Sequence, residues 1–213
     1  HDIPNRIFLL TQLKQIATAE DIPVFMEYVK APETASLAIG ALIGIEGSEP
    51  SILELIKAGE VSRPLLAYAA AEKRIVEAEP YILGWAADLD GNTVEDSDVT
   101  SKSDTPDLRS YCNSLSQCGT AASLKFLRKN SVYDYMTLLG RLAEDGDVKT
   151  ALSGASKMLK ADDVNLRSAA LEIVLGTKGK EAVKELLAAV KSDDREYRCA
   201  ALEFAEAFAD DEV

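Results

Sequence analysis

Asp88, Asp90 and Asn92 alternate along the run Asp88-Leu89-Asp90-Gly91-Asn92. Alternating oxygen donors of this kind can converge on one hard cation such as Ca²⁺. The remaining donors do not follow. A calcium loop of the EF-hand type needs glycine at its sixth position and a bidentate glutamate at its twelfth, where this chain has Thr93 and Val99. The expectation is therefore a mobile acidic loop over residues 88–104 that holds no metal, because it has too few apolar anchors to offset the entropy of ordering it.

Other reactive groups are sparse. The single histidine is His1, so a histidine general base, a Ser–His or Cys–His nucleophile and a histidine metal site all lack material. Gly40 and Gly44 fall inside an apolar helical pattern, where they serve close helix packing rather than a phosphate loop. The carboxylate pairs Glu77/Glu79 and Asp210/Asp211 fall at a turn and at the tail, and read as solvated charge. Cys112, Cys118 and Cys199 read as small core residues. The first two lie about 9 Å apart along one helix, beyond the ~7 Å Cα separation that a disulfide tolerates. No catalytic, cofactor-binding or metal-ligating residue is expected, and the chain does not read as an enzyme.

The elements that would position such groups are all helical. Of the 213 residues 47% are apolar and only 6% aromatic, which suits helices packed through alanine and leucine better than a sheet. The formal charge of −13 argues against nucleic-acid or anionic-membrane partners, which need clustered Lys and Arg. No apolar run reaches the ~18–20 residues that span a bilayer. His1 is not a natural start, so the chain reads as a segment of a longer protein.

Periodicity of 3.6 residues predicts helices over Pro4–Ala17, Asp21–Lys30, Glu33–Ile45, Glu49–Ala58, Ser62–Ile75, Glu79–Ala87, Pro106–Gln117, Ala121–Lys129, Tyr133–Ala143, Val148–Leu159, Val164–Leu175, Lys180–Lys191 and Arg195–Phe208. Pro50 and Pro80 sit in first turns, where the missing N–H costs nothing. The phrase Asp162-Asp163-Val-Asn-Leu-Arg167-Ser-Ala-Ala-Leu171-Glu172 returns 31 residues later as Asp193-Asp194-Arg-Glu-Tyr-Arg198-Cys-Ala-Ala-Leu202-Glu203. A repeat of this length is the mark of stacked helical units that bury their apolar faces on one another.

Asp-x-x-x-Arg-x-Ala-Ala-Leu, a glycine-containing turn and a second helix ending Leu186-Leu187-x-x-Val190 resemble the HEAT-like repeat of armadillo-type solenoids. The resemblance implies an all-α, right-handed superhelix of about six and a half helical hairpins forming one domain over residues 1–213, interrupted by the insertion at 88–104. It also implies a ladder between neighbouring units through Asp163, Arg167, Asp194 and Arg198, with Arg109 and Arg6 as weaker copies. Members of the family act as scaffolds, adaptors and transport receptors, and one branch handles a chromophore as a lyase. Similar segments occur beside carbohydrate-active domains in bacterial envelope proteins, which would place the chain in the periplasm or cell envelope.

The reading that follows is a scaffold binding a protein, or a neighbouring domain of its own chain, through the concave face. The alternatives are an accessory segment of a bacterial envelope carbohydrate-active protein, contacting carbohydrate through exposed aromatics, and a lyase-like HEAT protein. Phe25, Lys57, Trp85, Lys125 and Lys184 on the second helices are expected to line that face, with core packing on the Ile82 stripe as the competing reading for Trp85. The helix Arg195–Phe208 lacks a following partner, so Leu202 and Phe208 are expected to support self-association at that end.

Overall fold

The computed structural model describes residues 3–91 and 106–210, and every regular element among them is helical. The helices are α1 (Ile3–Ile16), α2 (Ile22–Tyr28), α3 (Pro32–Gly44), α4 (Glu49–Ala58), α5 (Arg63–Glu72), α6 (Glu79–Gly91), α7 (Pro106–Cys118), α8 (Leu124–Asn130), α9 (Val132–Glu144), α10 (Val148–Met158), α11 (Val164–Lys178), α12 (Val183–Val190) and α13 (Arg195–Asp210). They form two compact units, His1–Ser131 with α1–α8 and Val132–Val213 with α9–α13.

Helix starts follow local chemistry. Prolines occupy the first turn of α2, α3, α4 and α5, where their fixed φ suits the helix and no hydrogen bond is lost. A 3₁₀ turn precedes α2, α6, α8 and α12. α4 stops at Gly59, whose φ of +67° closes the helix in the left-handed region that only glycine enters without a steric penalty.

In the first unit α5 is central and packs against α3, α4 and α7. Its Ala67, Ala69 and Ala70 are completely buried, so small side chains let neighbours approach on several sides. Lys73, just past α5, is mostly buried and donates to the Ile45 carbonyl at 3.0 Å. It also pairs with Glu49 at 2.8 Å. A cation at the end of α3 is favoured by the unsatisfied carbonyls there, and this one ties α3, α4 and α5 together. In the second unit α10 packs on α9 and α11, and α11 also packs on α9 and α13.

Three sequence expectations are corrected. The acidic insertion does not begin at Asp88, because α6 continues to Gly91. Leu89 extends the stripe of Ile82 and Trp85, and Arg63 pairs with Asp88 at 3.5 Å. The candidate donor Asn92 and the remainder of the loop lie outside the described residues. Gly44 has open space where a Cβ would be, whereas Gly40 would meet Lys14 Nζ at 3.0 Å, so only Gly40 makes room for a neighbour. Cys112 and Cys118 are buried on α7 as expected, but Cys199 is exposed.

Candidate functional site

A concave feature lies in the second unit, between α9 and α11. Tyr133, Met136, Thr137, Gly140, Ala143 and Glu144 form one face of α9, at successive spacings of three and one residues that return to the same side of the helix. Asn165, Leu166, Ala169, Glu172, Ile173, Gly176 and Thr177 form the matching face of α11. Val148 also lines it, and the cavity volume is about 740 Å³.

The volume comes from missing side chains. A Cβ on Gly140 would touch only Ile173, at 3.9 Å, and a Cβ on Gly176 would meet nothing within 4 Å. Met136 and Leu166 are nearly buried and make the floor. The Thr137 hydroxyl donates to the Tyr133 carbonyl at 3.2 Å, and the Thr177 hydroxyl donates to the Ile173 carbonyl. Both are thus committed to their own helices. Glu144 and Glu172 are exposed and form no ion pair among the described residues.

Beside this groove, two of the four residues expected in a ladder, Arg167 and Asp194, pair with each other, and Asp163 has a different partner. Asp163 caps α11, accepting from the Asn165 N–H at 2.8 Å and the Leu166 N–H at 3.3 Å. Its other oxygen accepts from the Tyr133 hydroxyl at 2.6 Å. Asp194 caps α13 in the same way, through the N–H groups of Glu196 at 3.0 Å and Tyr197 at 3.3 Å. Its second oxygen takes the Arg167 guanidinium, which also lies over the Tyr197 ring at 5.1 Å. Each aspartate therefore caps its own helix and reaches back to an earlier one, Asp163 to α9 and Asp194 to α11.

Two expected rungs are corrected. Arg198 donates to the Ser192 carbonyl at 2.5 Å within its own turn, and it finds no acidic partner among the described residues. Arg6 and Arg109 are exposed and make no ion pair among them. Tyr133 is the donor that a search for arginines misses. Its spacing of 30 from Asp163, close to the repeat length, was the available signal.

The Tyr133 hydroxyl, ahead of backbone N–H groups, holds the Asp163 carboxyl below its ordinary value of 3.8. The Tyr197 N–H does most to lower Asp194 below the same value. A folded-state value below the unfolded one contributes stability that is complete above about pH 4 and fades as pH falls through the folded value. Asparagine caps a helix about as well as aspartate, so Asp163→Asn/Asp194→Asn removes the charge and keeps the caps. This variant is expected to flatten the acid limb of stability below pH 4 for the unit Val132–Val213. Parallel acid unfolding of wild type and variant would show that these carboxylates are not its source.

The concave-face residues chosen from sequence separate into two groups. Lys57, Lys125 and Lys184 are exposed, but none lines the groove. Phe25 is fully buried and Trp85 is 9% exposed. Both are corrected to core residues, because the stripe they share with their neighbours faces inward. Trp85 lies 6.1 Å from Tyr111, ring centre to ring centre, under the Arg63 guanidinium at 5.8 Å. That burial also removes the strongest aromatic anchor for a carbohydrate.

Glu79 is the other surprise. Instead of solvated charge it is 7% exposed, and it accepts from the Thr120 N–H at 2.7 Å, the Thr120 hydroxyl at 2.7 Å and the Ser123 hydroxyl at 2.5 Å. A carboxylate at the start of α6 thereby fastens the turn before α8. Its oxygens are occupied by structural donors, which makes it an anchor and not a base.

Comparison with protein families, curated proteins and solved structures finds no match. The site rests on its own geometry. Among the described residues no group of three His, Cys, Asp or Glu could hold a metal, and no helix is long and apolar enough to cross a membrane. Leu202, at the expected self-association end, is 50% exposed, and the side chain of Phe208 lies outside the described residues.

Proposed function

We propose that this chain is a non-catalytic scaffold of HEAT-like helical repeats that binds a protein segment in the α9–α11 groove. The repeat reading is supported by how helices pair within each unit. First helices pack in series, α1 on α3, α3 on α5 and α5 on α7, and likewise α9 on α11 and α11 on α13. Second helices pack on the first helix that follows, as α2 does on α3, α6 on α7 and α12 on α13. Neighbour-only pairing is what small stacked units require. The right-handed superhelix belongs to this proposal.

The observation that carries the binding reading is the groove itself. Two one-sided helical faces, each about three turns long, line a cavity of about 740 Å³, a shape suited to a polypeptide segment. Partner binding thus moves from the second helices expected from sequence to the first helices of the second unit.

Filling the groove tests this reading. Gly140 and Gly176 have space for a side chain, and leucine raises helix propensity by roughly 1 kcal/mol over glycine, so Gly140→Leu/Gly176→Leu should fold at least as well as wild type. A displayed library of 15-residue peptides should enrich binders on wild type that the filled variant fails to retain. Equal retention, or no enrichment on wild type, would overturn the groove as the binding surface.

A further inference from the structure

We infer that the occupant of the α9–α11 groove is a basic amphipathic helix of about three turns, an inference that rests on the groove being the binding surface. Its length follows from the walls. The lining runs from Tyr133 to Glu144 on α9 and from Asn165 to Thr177 on α11, about 17–18 Å each at 1.5 Å per residue.

A helix fits where a strand does not. An extended peptide must satisfy its own backbone N–H and C=O groups, and here both walls are helices whose backbone bonds are internal. The hydroxyls that could have served, Thr137 and Thr177, are turned to carbonyls of their own helices, and that of Tyr133 is held by Asp163. This leaves the Asn165 carboxamide as the one uncharged polar side chain of the lining for a strand's backbone, far fewer partners than an extended segment of this length needs. A helix arrives with its backbone already satisfied. Gly140, Ala143, Ala169 and Gly176 on the walls allow it the close approach of packed helices, about 8–10 Å between axes.

Charge sets the second requirement. The charged side chains of the lining are Glu144 and Glu172, with no cation among them. Both are exposed and without an ion pair among the described residues. They flank an apolar floor of Met136, Leu166 and Ile173, so a helix seated there places the edges of its apolar stripe beside two carboxylates. Lys or Arg at those edges satisfies them, whereas Glu meets like charge.

The experiment uses the full chain and three 14-residue helical probes with the same leucine stripe, flanked by Lys, Gln or Glu. The Lys probe should bind about tenfold or more tightly than the Glu probe at low salt, with the Gln probe between them. In Glu144→Gln/Glu172→Gln the difference between Lys and Glu probes should shrink to about twofold. A control carrying the same loss of charge on the first unit, Glu46→Gln/Glu54→Gln, should keep the full difference. Gly140→Leu/Gly176→Leu should lose all three probes.

The outcomes separate the two claims. Equal binding of the Lys, Gln and Glu probes, abolished by groove filling, leaves the groove standing and overturns the basic helix. A Lys preference that survives Glu144→Gln/Glu172→Gln, or falls equally in the control, assigns it to the net charge of −13 and overturns the inference as well. Failure of every probe to bind wild type, while the peptide library still enriches extended sequences in the groove, overturns the helix alone. Failure of both overturns the binding reading beneath it.

Discussion

Glu79→Ala is expected to lower the stability of the unit His1–Ser131 by about 2–4 kcal/mol, the range for stranding partners of a buried charged acceptor. The carboxylate at 7% exposure accepts from one amide and two hydroxyls. After its removal the hydroxyls can turn, and that of Thr120 already accepts from the Ala122 N–H at 3.2 Å. The Thr120 N–H has no such freedom and loses its acceptor. Ser123 is completely buried, so water cannot replace the carboxylate on that side of the vacancy. Glu79→Gln keeps the shape and one acceptor oxygen and should lose about half as much. Trp85 is the sole tryptophan and lies in this unit, so urea unfolding followed by its fluorescence reads the effect directly. A loss below about 0.5 kcal/mol, the usual size for a surface substitution, would mean that the charge is not structural.

The contrast between Glu79 and Asp163 shows what the sequence made legible. Asp163 and Asp194 stand in a phrase that repeats, and the family resemblance that this phrase carries implies a ladder that includes Arg167 and Asp194. Glu79 occurs once, beside Glu77 at a turn, and looks like solvated charge because its partners Thr120 and Ser123 lie more than 40 residues away. Helix limits were readable because a 3.6-residue stripe, a proline in the first turn and a glycine at the end are local signals. α4 was read over its observed span, Glu49–Ala58.

Facing was harder to read than position. Phe25 and Trp85 lie on stripes that sequence identifies well, but periodicity does not say whether a stripe meets the core or a partner. The groove was missed for a related reason. It is made by side chains that are absent, at Gly140 and Gly176, and glycine within a helix can equally mark a close crossing. The structure assigns opposite reasons to glycines that look alike: open space at Gly140 and Gly176, and a tight crossing at Gly154.

Gly154→Ala should therefore destabilise the unit Val132–Val213, against the usual trend. In an exposed helix interior alanine is worth about 1 kcal/mol over glycine. Gly154 sits mid-way along α10, and a Cβ there would lie 2.6 Å from both Leu139 Cδ1 and Cδ2 and 2.8 Å from Tyr135 Oη. Leu139 is completely buried and Tyr135 is 5% exposed, so neither side chain can swing into solvent. Forcing a methyl into a filled core costs about 1–3 kcal/mol, and the overlap should outweigh the gain in propensity. Gly84 on α6 provides the comparison, since its Cβ would meet nothing within 4 Å. Gly84→Ala should stabilise the first unit by about 0.5–1 kcal/mol. The decisive measurement is a double-mutant cycle with Leu139→Ala, read by denaturant unfolding and by hydrogen exchange of α9 and α10 amides. With Leu139 shortened, the two nearest atoms are gone and only Tyr135 Oη at 2.8 Å remains, so the loss caused by Gly154→Ala should shrink by at least half. The same loss in both backgrounds would sink the steric account and place the requirement for glycine in the backbone of α10.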